Sequence, residues 1–369
     1  MRFSIDRDAL LKPLQAVHGV VERRQALPIL SNVLIQAQEG TLSLTGTDTE
    51  VELVARTAVG EMEAGEITVP ARKFLDICRA LPNDANVDFA VDGERVAVRS
   101  GRSRFTLTTL SASDYPSTDE LVDATRLKVG ADVLKRLIDL TQFGMAQQDV
   151  RYYLNGMLFE LGPETLRTVA TDGHRLALAE GPVEGIDGGE GRQLILPRKA
   201  VLELARIVGS LDGSIELVVG ANAIQLESGD ICFTSKLIDG KFPDYRRVIP
   251  DKEASDKTIL ADRELLRSSL SRAAILSNEK YRAVRLCLAP GQMTVVASNP
   301  EQEEAEDTLE VDYDGEELEI GFNVSYLIDA LSTVPSESVQ ILLTDAASSC
   351  LILPEEGEGC EYVVMPMRL

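Results

Sequence analysis

The chain has 369 residues, 44% of them hydrophobic, and carries 37 Lys+Arg against 60 Asp+Glu for a formal net charge of -23. That length allows two to four domains at roughly 100–200 residues each, and the apolar content suffices to build their cores. The composition excludes a membrane-spanning helix, since no stretch of about 18 consecutive apolar residues occurs, and five cysteines without C-x-x-C spacing (Cys78, Cys232, Cys287, Cys350, Cys360) read as scattered reduced thiols.

Met1-Arg2-Phe3 leads straight into an alternating strand over residues 2–5 and not into a signal-peptide pattern, so the chain is expected to be soluble and cytoplasmic. A helix follows over about residues 8–21, with Leu10, Leu14, Val17 and Val21 on one face and Asp6 or Asp8 as N-cap. Pro13 inside it predicts a kink or a 3₁₀ start. Arg23 and Arg24 stand at the helix exit, where the dipole favours cations and an exposed pair can also grip a phosphate. Strands are predicted over 33–37, 42–47 and 51–58. Residues 69–81, V-P-A-R-K-F-L-D-I-C-R-A-L, then read as a strand end turning into a short amphipathic helix, with Phe74, Leu75, Ile77, Cys78 and Leu81 at helical spacings. Three more strands, over 87–91, 95–100 and 103–110, complete the module, and an Asp92-Gly93 turn joins the first two.

This module is written three times. Residues 196–208 (L-P-R-K-A-V-L-E-L-A-R-I-V) and 322–334 (F-N-V-S-Y-L-I-D-A-L-S-T-V) repeat the strand-to-helix element, and Pro70, Pro197 and Asn323 stand 127 and 126 positions apart. Asp48, Asp172 and Asn299 mark a second landmark. Tyr115-Pro116 returns as Phe242-Pro243, and Met365-Pro366 reads as the close of the third copy. A period near 126 residues is too long for a solenoid unit, so these are whole domains, expected at 1–124, 125–252 and 253–369. Each is an antiparallel sheet system with two helices on one side, an α+β arrangement. Polar residues 119–125 and 250–257 read as linkers. The glycine-rich stretch 185–191 lacks the following Lys-Ser/Thr of a phosphate loop and reads as a connector.

The charge is unevenly spread. The six helical segments hold about a quarter of the chain, yet carry 16 of the 37 basic residues and only 11 of the 60 acidic ones. If they face one way, the acidic body has one positive surface. Residues 99–105 (R-S-G-R-S-R-F) and 299–307 (N-P-E-Q-E-E-A-E-D) mark a basic and an acidic edge, which invite head-to-tail pairing of two copies into a closed ring. Catalysis is not signalled. His18 and His174 are the only histidines, His174 with Asp172 falls short of a metal-ligand set, and no nucleophile stands beside a base. Binding is signalled by the methionine-rich end E-Y-V-V-M-P-M-R-L, suited to an adaptable peptide groove, and by the polar turn T-D-G-H-R-L at 171–176. A monomeric peptide-binding scaffold is the competing reading.

The stretches L-T-G-T-D, V-P-A-R-K-F, R-S-G-R-S-R-F, Q-D-V-R-Y-Y-L-N-G-M, V-A-T-D-G-H-R-L-A, F-T-S-K-L-I-D-G-K-F-P-D-Y-R-R-V, A-I-L-S-N-E-K, N-P-E-Q-E-E-A-E, I-G-F-N-V-S-Y and Y-V-V-M-P-M-R-L resemble, in one register along the whole chain, the bacterial replication sliding clamps, the beta subunits of DNA polymerase III. The resemblance implies three tandem DNA-clamp domains in a head-to-tail homodimeric ring, with helices lining a hole for duplex DNA. It implies a processivity factor without catalysis or cofactor, working in the cytoplasm at the nucleoid. Its implied partners are duplex DNA held without base readout and, through short peptide motifs, the replicative polymerase catalytic subunit, the clamp loader, translesion polymerases and repair proteins.

Residue by residue, the resemblance implies a partner-peptide pocket of Leu154, Thr171, Gly173, His174, Arg175, Leu176, Pro243, Arg247, Val248, Tyr281, Asn323, Tyr326, Ala347, Ser349, Val363, Met365, Pro366, Met367 and Arg368. Ala347 and Tyr281 depart from the valine and phenylalanine of the family pattern and bear on peptide preference. Implied DNA-facing residues are Arg24, Arg72, Lys73, Arg79, Gln148, Tyr152, Tyr153, Arg198 and Lys199. The implied dimer contact joins Lys73, Arg102, Arg104, Phe105 and Leu107 to Ile275, Leu276, Glu301, Glu303 and Glu304. Lys73 falls in both sets.

Overall fold

A computed structural model of the chain describes residues 1–22, 27–116, 118, 121, 124–185, 191–355 and 359–368. The first repeat contains β1 (Arg2–Asp6), α1 (Arg7–His18), β2 (Asn32–Gln38), β3 (Thr41–Thr47), β4 (Val51–Ala58), β5 (Met62–Glu63), β6 (Gly65–Pro70), α2 (Ala71–Ala80), β7 (Asn86–Asp92), β8 (Arg95–Ser100) and β9 (Ser103–Thr108). The second contains β10 (Thr125–Gly130), α3 (Ala131–Thr141), β11 (Gly156–Leu161), β12 (Thr165–Thr171), β13 (Arg175–Pro182), β14 (Gln193–Pro197), α4 (Arg198–Val208), β15 (Ser214–Val219), β16 (Ala223–Ser228) and β17 (Ile231–Lys236). The third contains β18 (Lys257–Asp262), α5 (Arg263–Ala273), β19 (Ala283–Ala289), β20 (Gln292–Ser298), β21 (Glu304–Glu310), β22 (Leu318–Asn323), α6 (Val324–Thr333), β23 (Ser338–Leu343), β24 (Cys350–Pro354) and β25 (Cys360–Val364).

These elements form four antiparallel sheets. One eight-stranded sheet runs β10-β15-β16-β17-β4-β3-β2-β6 and a second runs β14-β11-β12-β13-β25-β24-β23-β18. Each is four strands of one repeat joined to four of the next. The seams are β4 against β17, with Val51 opposite Ser235 and Ala55 opposite Ile231, and β13 against β25, with Arg175 opposite Val364 and Ala179 opposite Cys360. The remaining sheets are β5-β1-β7-β8-β9 and β21-β20-β19-β22. They repeat the same half-sheets, and they end on β9 and β21 with no strand beyond either among the described residues.

Because the eight-stranded sheets pool halves of successive repeats, compactness does not follow the repeat. The chain divides into one unit of residues 1–132, 183–189 and 202–237, and a second of 133–182, 190–201 and 238–369. The first unit holds the β10-to-β6 sheet and the β5-to-β9 sheet. The second holds the other two.

Local chemistry explains the elements that position function. The Asp6 side chain caps α1, accepting from the backbone N–H of Asp8 and Ala9. Pro13 is buried inside α1, and the helix runs on through it to His18. Arg7 fastens α1 to the end of α2, its guanidinium donating to the carbonyls of Cys78 at 2.9 Å and Arg79 at 3.2 Å, where the helix C-terminus favours a cation. Under α2, Phe3 stacks on Phe89 with centroids 4.7 Å apart, and Phe74 meets Phe89 edge-on at 5.8 Å. The turn after Asp92 has Gly93 at φ 58°, a left-handed conformation that glycine adopts without a Cβ clash. All five cysteines are free, and burial pushes the thiols of Cys78 and Cys350 up to about 12.

Candidate functional site

The hairpin between β12 and β13 builds the first candidate surface. Asp172 Oδ1 accepts from the N–H groups of His174 and Arg175, Gly173 sits at φ 89°, and the Thr171 hydroxyl donates to the Arg175 carbonyl at 2.6 Å. This tight turn leaves His174 exposed and aims Arg175 inward. The Arg175 guanidinium, with its side chain 13% exposed, meets Asp172 Oδ2 at 3.2 Å, Asp329 Oδ2 at 2.5 Å and the Phe143 carbonyl at 2.9 Å. It also lies over the rings of Tyr326, 4.7 Å from the centroid, and Phe143, at 5.3 Å. Charge-assisted bonds and two aromatic faces hold it in one orientation. The His174 ring stacks at 6.3 Å on Tyr326, and the Asn323 side chain caps α6.

Beside this polar rim lies an apolar floor. Leu154, Leu176 and Val363 are buried in one cluster with Phe242 and Tyr245, and Val248 packs against it half-buried. The backbone N–H of Met365 donates to the His174 carbonyl and that of Met367 to the Gly321 carbonyl, which ties the end of the chain along the groove. Pro243, Arg247 and Ala347 are exposed, while Ser349, Met365 and Pro366 are half-buried. Not all the expected residues converge here. Tyr281, Met367 and Arg368 line another hollow of about 630 Å³ with Glu304, against β19 and β20.

Basic and aromatic candidates stand in two separate places, one on each unit. Arg72, Lys73 and Arg79 are exposed on α2, Arg72 facing Asp76 one turn on at 3.8 Å. Gln148, at φ 55°, and Tyr152, 56% exposed, crown the loop before β11. Tyr153 meets Tyr152 edge-on but packs inward. Arg198 is half-buried. Its side chain donates to the Met145 carbonyl, and burial, with the charge of Arg175, pulls its guanidinium below the ordinary value. Arg198 opens α4 with Lys199 next in the helix, and Arg24 lies outside the described residues.

The third pair of surfaces is the free edges. On β9, Arg104 is exposed, Phe105 half-buried and Leu107 buried inward, with Arg102 exposed in the preceding turn. On β21, Glu304 and Glu306 face outward, with Glu301 and Glu303 exposed just before it. Ile275 is 77% exposed and Leu276 half-buried in the turn that follows α5, and Arg272 at the end of that helix pairs with Asp307 of β21 at 2.5 Å.

Sequence reasoning missed the supports. Phe143 and Asp329 hold Arg175 from distant segments that no local pattern connects, whereas the Asp172 to Arg175 spacing was readable. It also missed Arg151, which pairs with Asp149 at 2.8 Å, holds that carboxyl down at about 2 through this hydrogen bond, and donates to the Asp172 carbonyl at 3.1 Å. Val150, 95% exposed, stands at the same loop tip. No group of metal-binding side chains and no helix long and apolar enough to cross a membrane occurs among the described residues.

Three family profiles match the chain end to end: the DNA polymerase III beta subunit N-terminal domain over residues 1–119, its central domain over 128–244 and its C-terminal domain over 246–368. The chain is 55% identical over 372 residues to a beta sliding clamp of Pseudomonas putida and 52% identical over 370 residues to that of Escherichia coli, covering each in full. Its fold superposes on the crystal structure of the Pseudomonas aeruginosa DNA polymerase III subunit beta with a TM-score of 0.97 at 53% identity, covering 100% of both chains.

Proposed function

The chain belongs to the DNA polymerase III beta subunit family and is a sliding clamp, a non-catalytic processivity factor that works with DNA and a DNA polymerase; from that premise we propose that two copies pair head to tail, β9 of each against β21 of the other, and close a ring around duplex DNA. The observation that carries the proposal is the repeated seam. At both internal junctions the last strand of one half-sheet pairs with the last strand of another, and β9 and β21 are the two corresponding strands left without a partner.

The seam also supplies a register. The turn pairing Ser228 with Ile231 matches that pairing Ser100 with Ser103, so Ile231 and Phe233 correspond to Ser103 and Phe105. The pairing of Thr41 with Ala58 matches Gln292 with Glu310, so Ala55 and Leu53 correspond to Asp307 and Ala305. Carrying the observed pairing of Ile231 with Ala55 across to the open edges puts Arg104 opposite Glu306, with Glu304 and Thr308 diagonal to it. Opposite charges then meet across the strands, Ile275 and Leu276 add apolar contact, and Lys73, Arg102, Phe105, Leu107, Glu301 and Glu303 surround them. Because a heterologous contact must close or polymerise, three domains per copy, 1–124, 125–252 and 253–369, make a closed set of six.

Within the ring, exposed Arg72, Lys73 and Arg79, with Arg24, Arg198 and Lys199, face phosphates. Gln148, Tyr152 and Tyr153 stand at the rim of the DNA path. Such contacts are weak, salt-sensitive and blind to sequence, which permits sliding while topology prevents escape. The groove floored by Leu154, Leu176 and Val363 takes apolar anchors of short motifs from the replicative polymerase catalytic subunit, the clamp loader, translesion polymerases and repair proteins, one at a time. Arg175, fixed by Asp172 and Asp329, orients the bound backbone. The protein acts in the cytoplasm, at the nucleoid during replication.

The test is retention on a nicked DNA circle after loading with a clamp loader and ATP, before and after the circle is cut once. Release on cutting is the expected result. Equal retention on both forms means ordinary surface binding and overturns the ring, and a monomer that never loads favours the scaffold reading instead.

A further inference from the structure

The first unit contains a second groove at the seam equivalent to that of the peptide groove. It is a hollow of about 400 Å³ at the seam of β4 and β17. The seam registers fix the correspondence. Val51 opposite Ser235 matches Arg175 opposite Val364, so Glu52 stands where Leu176 stands, and Lys236 where Met365 stands. After the seam, Pro116 and Leu121 fall where Pro243 and Val248 fall, five residues apart in each case. The turn is copied too. Asp48 Oδ1 accepts from the N–H groups of Glu50 and Val51, as Asp172 Oδ1 does from those of His174 and Arg175.

The register and the turn are kept and the charge is inverted. Where the peptide groove has a histidine, an arginine and a leucine in succession, this one has Glu50, Val51 and Glu52. Val51 is buried and gives an apolar wall with Leu121, while Glu50 is exposed at the rim. The Glu52 carboxylate accepts hydrogen bonds from the Thr118 side chain and backbone, burial pushes its pKa up, and among the described residues no basic side chain forms an ion pair with it. Exposed Lys236 is the one basic residue among the described residues of the lining, against the two carboxylates of Glu50 and Glu52. A desolvated carboxylate without a cation is an incomplete pair, and an incoming cation restores the missing attraction.

We propose that this groove is a second docking site, for a short partner peptide that sets a lysine or arginine side chain on Glu52 and an apolar neighbour against Val51 and Leu121. The inference rests on the peptide reading of the first groove for its position, and on Glu52 for its specificity. The two grooves therefore select opposite motifs, which lets one partner chain engage both, or two partners engage one copy without competing. Linked engagement of that kind raises avidity through effective concentration and needs no new contact.

The test titrates the full-length, methyl-labelled protein with the peptide acetyl-Ala-Leu-Lys-Leu-Ala-amide and with its norleucine-for-lysine counterpart, following methyl resonances by NMR. The expected result is saturable shifts at Val51, Leu121 and Ala221 with the lysine peptide, and binding weaker by about tenfold or more for the norleucine peptide and for Glu52→Gln, as loss of one charge-assisted contact requires. Ala221 is exposed in the turn before β16, so Ala221→Trp blocks the hollow without touching the core and removes the shifts. Absence of saturable shifts in the unsubstituted protein, or equal affinity after Glu52→Gln, overturns the inference. The methyls of Leu176 and Val363 report the other groove in the same spectra, so this site can fail while the first reading stands on its own test.

Discussion

Ile275→Ala isolates the proposed contact between copies from the stability of each copy. Ile275 is 77% exposed in the single chain, beside the edge strand β21. Fully burying an isoleucine side chain stabilises by ~1.5–3 kcal/mol, so truncating one that is covered only on pairing removes about 1–2 kcal/mol per contact. A two-copy ring has two such contacts, giving a loss of about 2–4 kcal/mol and a rise of about 30- to 900-fold in the dimer dissociation constant. The melting temperature of the isolated chain stays nearly constant, because a surface truncation away from a packed feature changes stability by no more than about 0.5 kcal/mol. Sedimentation equilibrium across a concentration series reads the first quantity and thermal unfolding of dilute protein the second. A dissociation constant within about threefold of the parent refutes the assignment, as does a fall in melting temperature large enough to explain monomers by unfolding. Adding Leu276→Ala is expected to give soluble monomers. The single substitution is the cleaner test, since Leu276 is already half-buried in its own unit.

The register makes a charge swap informative: Arg104→Glu alone weakens the dimer, and combining it with Glu306→Arg restores it, whereas no restoration by sedimentation means that these residues do not face each other. Deleting residues 365–369 is expected to abolish binding of a polymerase-derived peptide in a fluorescence anisotropy titration and to leave the dimer intact; unchanged affinity removes the tail from the groove. Burial raises the Glu52 carboxyl above its ordinary value of 4.5 against the opposing pull of Thr118. The folded state then holds this proton more tightly than the unfolded chain, so the ionised form destabilises the fold as pH rises above 4.5 through the raised folded value, and the penalty vanishes below 4.5. Glu52→Gln should therefore raise the melting temperature near neutral pH and leave it unchanged in acid, and an equal gain at both pH values contradicts the burial argument.

Where local pattern and turn chemistry agreed, the elements were legible to the residue. The strands expected at 51–58 and 95–100 are β4 and β8, because alternation and flanking turns bound both ends. Boundaries drifted where the pattern ran past the hydrogen bonds. Val21 continues the apolar face of α1, yet the helix ends at His18 with Gly19 as cap. Leu110 continues the alternation of β9, but that strand ends at Thr108 and Leu110 makes only an isolated bridge to Thr68. The repeat itself misled once. Met365-Pro366 looks like the counterpart of Phe242-Pro243, while strand register aligns Met365 with Lys236, six residues earlier. Arg175 was nameable from its motif, but not its Asp329 and Phe143 partners, since a pairing between segments 154 positions apart leaves no local periodicity.

The two internal seams and the proposed seam between copies differ in chemistry, and the difference follows from when each is made. At β4 with β17, Val51, Leu53, Ala55, Phe233 and Ser235 are buried; at β13 with β25, so are Ala177, Ala179, Tyr362, Val363 and Val364. Both seams form within one chain as it folds, so neither half-sheet edge has to meet solvent alone. The edges β9 and β21 do meet it until a second copy arrives. An apolar edge would then pair with any strand available, and charge prevents this. Arg104 on one edge and Glu304 and Glu306 on the other repel copies of themselves and attract only each other. The cost is a seam held partly by exposed ion pairs, each contributing about 0–1 kcal/mol and weakened by salt. A ring built as proposed is expected to open at the β9 and β21 seam while the two internal seams stay shut, so the charges that guard the free edges of a single copy would also set where DNA enters.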